Sequence, residues 1–381
     1  MGDPAIYRLQ PNVVVTPDPT GQYNRYDTYL AIDPNDSTHM VGICRRFYGP
    51  GLNYQDVLEF QSSVDGGQTW TSLALPLGDY YSISDPWIGI APNRNIYVIA
   101  LQVSSAYSGG TTTGRQSAAG QLRGSNVCCY TSTDNGQSWS FAVIPGSDGW
   151  NPDNTFGAID PTSSTVYAIW NSSDVIGAGL NGTLAFAYSA DGNTWNASKA
   201  ALPRGNSIYD LTQRGFNFVN ISVAPDDGSI HIIGFDLNNN VSYARSQHQG
   251  RSLDFGGIAG PQIGTGDIWQ ATSPTFLGPV NPPAILAAGN GLVLAAWSVD
   301  TGHTADIPGP QMRICVSSCN DGSTGWAGTT VAKAPTTAPF LPLGSFSQTP
   351  QDQYFLPRLS GMPNGVVGCA FQYCQVGGPV P

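Results

Sequence analysis

The chain has 381 residues, of which 46 are Gly and 29 are Pro, and its formal charge is −11 at pH 7. Lys199 and Lys333 are its only lysines and Glu59 is its only glutamate, so strong helix formers are scarce. This charge argues against a nucleic-acid partner, because phosphate neutralisation needs clustered Lys and Arg. No apolar run approaches the roughly 18 residues of a spanning helix, so we expect no membrane span.

In chain order, β-branched and aromatic runs alternate with Gly, Pro, Asn and Asp, which predicts strands and turns throughout. Residues 6–9 and 12–15 are the first two such runs. A longer phrase then recurs, in which a strand, a turn and a second strand follow one another. Its six copies lie in residues 29–43, 87–99, 156–170, 219–233, 284–297 and 356–371.

A second motif, S-x-D-x-G-x-[ST]-W, follows the first two copies of this phrase. It occurs at residues 63–70 and again at residues 132–139. A copy one residue shorter lies at 189–195, a distorted one surrounds 320–326, and residues 246–250 form an eroded fifth. The motif predicts a tight hairpin in which Ser and Asp oxygens accept backbone N–H groups and Gly supplies a positive φ.

This motif resembles the Asp box, also called the BNR repeat, of the sialidase superfamily. In those proteins it joins the third and fourth strands of a propeller blade. The resemblance implies one all-β domain over residues 1–381, a six-bladed β-propeller with seven blades as the alternative. Residues 6–15 would supply the strand that closes the ring and removes an exposed sheet edge.

The cysteines and the start of the chain suggest secretion. Two close cysteine pairs, Cys315 with Cys319 and Cys369 with Cys374, predict short-loop disulfides, with free buried thiols as the alternative. The Met1-Gly2 start is compatible with removal of a signal peptide. We therefore expect a secreted monomer that carries N-x-Ser/Thr sequons at Asn35, Asn171, Asn181, Asn196, Asn220 and Asn240.

The candidate binding residues lie just before the inner strands or at the ends of the second strands, where a propeller gathers its ligand. Several arginines at one mouth would bind a carboxylate-bearing sugar, because a guanidinium group holds carboxylate oxygens bidentately. No cofactor is expected, although a structural calcium ion would suit so acidic a chain. The substrate-binding candidates are Arg25, Asp27, Arg46, Asp85, Trp87, Trp170, Arg214 and Arg358.

The family resemblance also suggests catalytic residues. Sialidases use three arginines, which by position match Arg25, Arg214 and Arg358. Asp56 lies where the family has its acid/base aspartate, and Tyr354 and Tyr373 are candidates for the nucleophile. A family glutamate activates that tyrosine, but here the only glutamate is Glu59, in the first blade; Asp153 or Asp210 would have to replace it.

Two classes of function follow from these residues. The first is a glycan-active enzyme on an anionic sugar, either a sialidase-like glycosidase or a polysaccharide lyase that uses Tyr or His303 for proton transfer. The second is a lectin or cell-surface binding module, which would use the same Trp and Arg side chains without breaking a bond. The missing mid-chain glutamate favours the second class.

Overall fold

A computed structural model describes Val15, Ser147 and thirteen continuous segments of the chain. All the regular elements within this part are β-strands, as predicted. No helix there is long and apolar enough to cross a membrane. The segments are residues 23–48, 56–76, 80–104, 125–145, 152–172, 183–197, 217–235, 241–246, 283–300, 312–320, 327–330, 352–361 and 367–375.

The strands of the first half form three antiparallel sheets of four strands each, in sequence order from the inner to the outer edge. The first sheet holds β1 (Tyr23–Asp33), β2 (Asp36–Tyr48), β3 (Asp56–Ser63) and β4 (Thr71–Ala74). The second holds β5 (Tyr80–Ile90), β6 (Ile96–Ser104), β7 (Ser125–Ser132) and β8 (Ser140–Val143). The third holds β9 (Pro152–Ile159), β10 (Val166–Ser172), β11 (Thr183–Ser189) and β12 (Trp195–Ala197).

The second half of the chain forms three further antiparallel sheets within the described residues. The fourth holds β13 (Asn217–Val223), β14 (Ile230–Phe235) and β15 (Val241–Ser246). The fifth holds β16 (Ala284–Gly289), β17 (Leu292–Asp300), β18 (Met312–Asn320) and β19 (Ala327–Thr330). The sixth holds β20 (Asp352–Gly361) and β21 (Val367–Gln375).

Consecutive sheets pack face to face through their innermost strands, β1 on β5, β5 on β9, β9 on β13, β13 on β16 and β16 on β20. Strand β6 shows how the sequence allows this packing. Its Ile96 and Val98 lie in the core shared with the first sheet, whereas Tyr97 and Ile99 lie in the core shared with the third. Since both faces are buried, the strand is continuously apolar rather than alternating.

The Asp-box hairpins join the third and fourth strands of the first three sheets. In the first box, Asp65 Oδ1 accepts the backbone N–H groups of Gln68 and Thr69, each at 2.9 Å. The indole of Trp70 donates to the carbonyl oxygen of Gly67 at 3.0 Å. Asp134 and Trp139 repeat these contacts in the second box. Hydrogen bonds to the charged form lower the pKa of Asp65 and of Asp134 to about 2.

The expected pairing of neighbouring cysteines is wrong. Cys315 and Cys319 lie in one strand, β18, and Cys369 and Cys374 lie in another, β21. A strand rises about 3.3 Å per residue, so the four positions from Cys315 to Cys319 span about 13 Å and the five from Cys369 to Cys374 span about 16 Å, at least about twice the Cα separation that a disulfide allows. Elsewhere in the described part, Cys44, Cys128 and Cys129 are buried free thiols.

Candidate functional site

The inner strands of five sheets carry a bulge at the same position, where two residues face one residue of the second strand. The register breaks after Tyr26 in β1 and after Ser84 in β5, and equivalent breaks occur in β9, β13 and β20. Asp27, Asp85 and Asn154 begin the first three bulges, with φ values of 52°, 49° and 51°. Asp and Asn tolerate this left-handed conformation better than most side chains do.

The position directly after each bulge is equivalent from sheet to sheet. It is occupied by Tyr29, Trp87, Phe156, Asn220 and Arg358 in the first, second, third, fourth and sixth sheets. The bulges therefore bring these five side chains to one level of the inner strands. This is where the sequence placed the candidate binding residues.

Three charged residues of the first sheet form an arginine–glutamate cluster. Arg25 and Arg46 are direct cross-strand partners, and Glu59 lies on the neighbouring strand, opposite Cys44. Arg25 Nε donates to Glu59 Oε2 at 2.7 Å, and Arg46 Nη1 donates to Glu59 Oε1 at 3.4 Å. Glu59 is only 4% exposed, so it holds both arginines from inside the sheet. Two guanidinium groups thus share one carboxylate.

A second cluster, on the other face of the first sheet, centres on Arg45. Its Nη2 donates to Asp56 Oδ2 at 2.5 Å, and its Nη1 lies 4.0 Å from Asp27 Oδ2. Asp56 also accepts the Ser82 hydroxyl at 3.1 Å and is 6% exposed. Asp56 is therefore a buried carboxyl group that accepts hydrogen bonds from Arg45 and Ser82, which does not suit the acid/base role expected from the family resemblance.

Asp27 has a different environment from Asp56. Its side chain is 43% exposed, and Arg45 is its partner in the described part of the chain, at the long distance of 4.0 Å. Burial nevertheless raises the pKa of Asp27 above its ordinary value, and nearby Arg45 and Arg358 only partly offset this effect. A carboxyl group that reaches the surface and has a raised pKa can hold a proton at higher pH than an ordinary aspartate.

Asp85 joins the second sheet to the third. Its carboxylate accepts the backbone N–H of Asn154 at 3.3 Å, and its carbonyl oxygen accepts the Thr155 hydroxyl. Both partners belong to the bulge of β9. Asp85 thus has a structural role at the position where Asp27 has no such bond among the described residues.

Arg358 connects the sixth sheet to the first. Its Nη2 donates to the Tyr29 hydroxyl at 2.8 Å, and its Cζ lies 5.0 Å from the centre of the Tyr29 ring. The Phe156 ring lies 5.8 Å from the same Cζ and meets Tyr29 edge to face. Burial raises the pKa of Tyr29 to about 12, so this phenol stays protonated and is not an activated nucleophile.

The structure places the predicted residues in different surroundings. Arg25 and Arg46 lie with Glu59 on one face of the first sheet, whereas Asp27 lies beside Arg45 on the other face, near Arg358. Trp170 is wrong as a sugar-binding platform, because it is 2% exposed in the core between the second and third sheets. Trp87 is half-buried over Gly89 and Gly157, where a β-carbon would lie 2.5 and 2.3 Å from its indole.

Other predicted residues cannot be placed as side chains. Arg214, Asp210 and His303 lie outside the described residues. The backbones of Tyr354 and Tyr373 are direct partners across β20 and β21, and that of Asp153 pairs with Asn171; the side chains of all three lie outside the described part.

Sequence reasoning missed the roles of Glu59, Tyr29 and Phe156. In the sequence, Glu59 lies far from the mid-chain position of the family's glutamate. Its strand position opposite Cys44 nevertheless places it beside Arg46. Tyr29 and Phe156 look like ordinary strand aromatics in the sequence. Their shared position directly after equivalent bulges places Tyr29 and Phe156 at one level with Arg358.

No three His, Cys, Asp or Glu side chains in the described part of the chain are arranged to hold a metal ion. The Arg358 guanidinium group can bind a carboxylate, and Asp27, which lies near it, can supply a proton.

No family model and no curated protein matches this chain. Its solved structural neighbours are sialidases and trans-sialidases. The Hadza microbial sialidase Hz136 superposes with a TM-score of 0.52 and 15% identity, covering 93% of this chain and 66% of its own. The Trypanosoma rangeli sialidase in complex with the inhibitor DANA gives 0.56 and 13%, covering 93% and 53%.

A third neighbour is closer to this chain in length. The intramolecular trans-sialidase from Ruminococcus gnavus has a TM-score of 0.53 and 12% identity, and the match covers 91% of this chain and 90% of that one. The present chain spans just under two thirds of the Hadza sialidase and about half of the Trypanosoma rangeli enzyme. At these identities the likeness concerns the fold, and the chain shares the β-propeller fold of the sialidases.

Proposed function

We propose that this chain is a glycan-active protein that binds an anionic sugar at the bulged end of its inner strands and hydrolyses its glycosides. The observation that carries this proposal is that Asp27 lies beside Arg45 and near enough to Arg358 for both cations to influence its carboxyl group. The solved neighbours of the same fold include a sialidase with the inhibitor DANA and an intramolecular trans-sialidase with oseltamivir carboxylate. One of these neighbours is a sialidase and the other a trans-sialidase, which supports an anionic sugar as the ligand class.

In this proposal Arg358 binds the sugar carboxylate and Asp27 acts as the general acid. The proton of Asp27 passes to the glycosidic oxygen as its bond to the anomeric carbon breaks. A water molecule then adds its oxygen to that carbon and returns a proton to Asp27. Asp27 suits this step better than Asp56, because Asp56 is buried and bonded to Arg45 and Ser82.

A lectin without catalysis is the second candidate, and one observation favours it. Glu59 is bonded to two arginines, so it cannot serve as the base that activates a tyrosine nucleophile. Tyr354 and Tyr373 therefore remain predicted nucleophiles that would need another base. Asp153 has the position for that role by sequence alone.

The test is to incubate the purified protein with sialylated and uronate-containing glycans. We expect released acidic sugar from the sialylated glycans, and we expect the Asp27→Asn variant to bind without releasing it. An unsaturated uronate product would instead show a lyase. Binding without turnover by the unaltered protein would establish the lectin, and no binding to either glycan class would overturn the proposal.

We further propose that the six sheets are six blades of one closed ring, in a secreted monomer. The bond from Arg358 to Tyr29, which joins the last sheet to the first, supports closure. Leu30 and Ile32, 60% and 49% exposed, lie on the face of the first sheet that the second sheet does not cover. Residues 6–15 are the proposed closing strand and lie outside the described residues.

A further inference from the structure

We propose that Tyr29 is a positioning residue that, together with Phe156, holds Arg358 in the orientation needed to bind the sugar carboxylate. This inference rests on the proposed anionic-sugar site and assigns the part of it that sets charge specificity. The three side chains occupy the same position after the bulge in the first, third and sixth sheets. They therefore meet across the ring of inner strands although they are far apart in sequence.

The contacts fix both the position and the tilt of the guanidinium group. The Tyr29 hydroxyl accepts from Nη2 at 2.8 Å, which locates one corner of the planar group. The faces of Tyr29 and Phe156, at 5.0 and 5.8 Å from Cζ, attract the same cation from two sides. The rings are held in turn by their edge-to-face contact at an interplanar angle of 80°.

Orientation matters because an arginine recognises a carboxylate through two parallel N–H bonds in one plane. A flexible arginine would still attract the anion but would lose this geometric match. The side chain of a flexible arginine would also lose rotamer freedom on binding. Arg358 avoids this cost because Tyr29 and Phe156 already hold its guanidinium group. The aromatic pair should therefore favour a carboxylate over a neutral group at the same place.

Two variants separate the hydroxyl from the ring. Tyr29→Phe removes only the hydrogen bond to Arg358, and Tyr29→Leu also removes the aromatic face. Phe141→Leu is the control, because Phe141 is an aromatic residue on the outer strand β8 that is 42% exposed and remote from the inner strands. The ligands are N-acetylneuraminic acid and its methyl ester, in which a methyl group removes the charge of the carboxyl group.

We expect Tyr29→Phe to weaken binding of the acid severalfold and Tyr29→Leu to weaken it about tenfold or more, as the loss of one charge-assisted hydrogen bond and one cation–π contact predicts. Ester binding should stay unchanged in both variants, and Phe141→Leu should bind both ligands normally. Unchanged acid binding, or equal losses for acid and ester, would overturn the positioning role.

A ligand-free measurement distinguishes this inference from the proposed function. Thermal unfolding of Tyr29→Phe, Arg358→Ala and the double variant forms a double-mutant cycle. We expect the double variant to lower the melting temperature by less than the sum of the two single variants, because they remove the same contact. If the unaltered protein binds neither ligand, the proposed anionic-sugar site is wrong. If the effects of the two single variants are additive, the positioning of Arg358 by Tyr29 is wrong.

Discussion

A β-carbon built on Gly136 would lie 2.4 Å from Cε1 of Phe60, so the second Asp box packs its glycine directly against a ring of the first sheet. The third box makes the same kind of contact, with Gly192 against Thr131 and Tyr97 of the second sheet. The boxes therefore have two roles. They close a hairpin within one sheet and dock that hairpin on the sheet before it.

The first prediction compares Gly136→Ala with Gly67→Ala, which occupies the same position in the first box. The φ values are 85° and 86°, but a β-carbon on Gly67 meets nothing closer than 3.5 Å. Gly67→Ala should cost about 1–2 kcal/mol of unfolding free energy for the left-handed backbone. Gly136→Ala should cost about 1–3 kcal/mol more through overpacking against Phe60. Equal costs in urea unfolding would show that the box does not dock.

The second prediction concerns Glu59→Gln, which keeps the shape of the side chain but removes the charge shared by Arg25 and Arg46. We expect a loss of about 2 kcal/mol, below that for a fully buried pair, because both guanidinium groups are partly exposed. Asp36→Asn, at the exposed first residue of β2, is the control and should be milder. Unaltered stability of Glu59→Gln in urea unfolding would refute the arginine–glutamate cluster.

The third prediction is acid sensitivity of the fourth sheet. His231 is buried and contacts the hydroxyls of Ser229 and Tyr243 at 2.8 and 2.6 Å, and burial lowers its pKa from 6.5 to about 4. The unfolded chain takes up this proton at higher pH than the folded chain, so stability should fall as the pH drops from about 6.5 to about 4. The fall should amount to about 3 kcal/mol.

The measurement for His231 is the unfolding free energy across that pH window. His231→Gln lacks the titrating ring and should lose the corresponding part of the slope, although its stability at neutral pH is expected to be lower. An identical slope in this variant would assign the acid sensitivity to other groups.

The fourth prediction compares Arg358→Ala with Arg94→Ala. Arg358→Ala should weaken binding of an acidic sugar at least about tenfold, or about 1.4 kcal/mol. Arg94 is 61% exposed on the turn at the opposite end of β5, so its replacement should leave binding unchanged. Titration calorimetry with N-acetylneuraminic acid measures both, and equal affinities would place the anion elsewhere.

The fifth prediction is the pH dependence of hydrolysis. Because the pKa of Asp27 is raised, its protonated form persists above the ordinary range of aspartate, and activity should fall as the pH rises through that pKa. Asp27→Asn should lower the rate about 100-fold or more. An active Asp27→Asn variant with the same alkaline limb would exclude Asp27 as the proton donor.

Much of the site could be located from the sequence but not assembled from it. The phrase repeat placed Arg25 and Asp27 near the start of β1 and Arg46 near the end of β2, whereas Arg358 lies within β20 rather than before it. It could not separate Asp27 from Asp56, because the difference is burial and the bonds to Arg45 and Ser82. It also misjudged Trp170, since a strand that packs on both faces buries every side chain along its length.

The sequence by itself determined the local structure of this protein. The Asp box predicts its hairpin because Ser, Asp, Gly and Trp form hydrogen bonds within eight residues. The alternating apolar phrases predict the strands. Tertiary structure decided which residues meet: Arg358 with Tyr29 and Phe156, and Glu59 with two arginines. Those contacts depend on strand register and on bulges repeated from sheet to sheet, which no short stretch of sequence encodes. The tertiary structure also ruled out both predicted disulfides, because an extended strand holds the two cysteines of each pair too far apart.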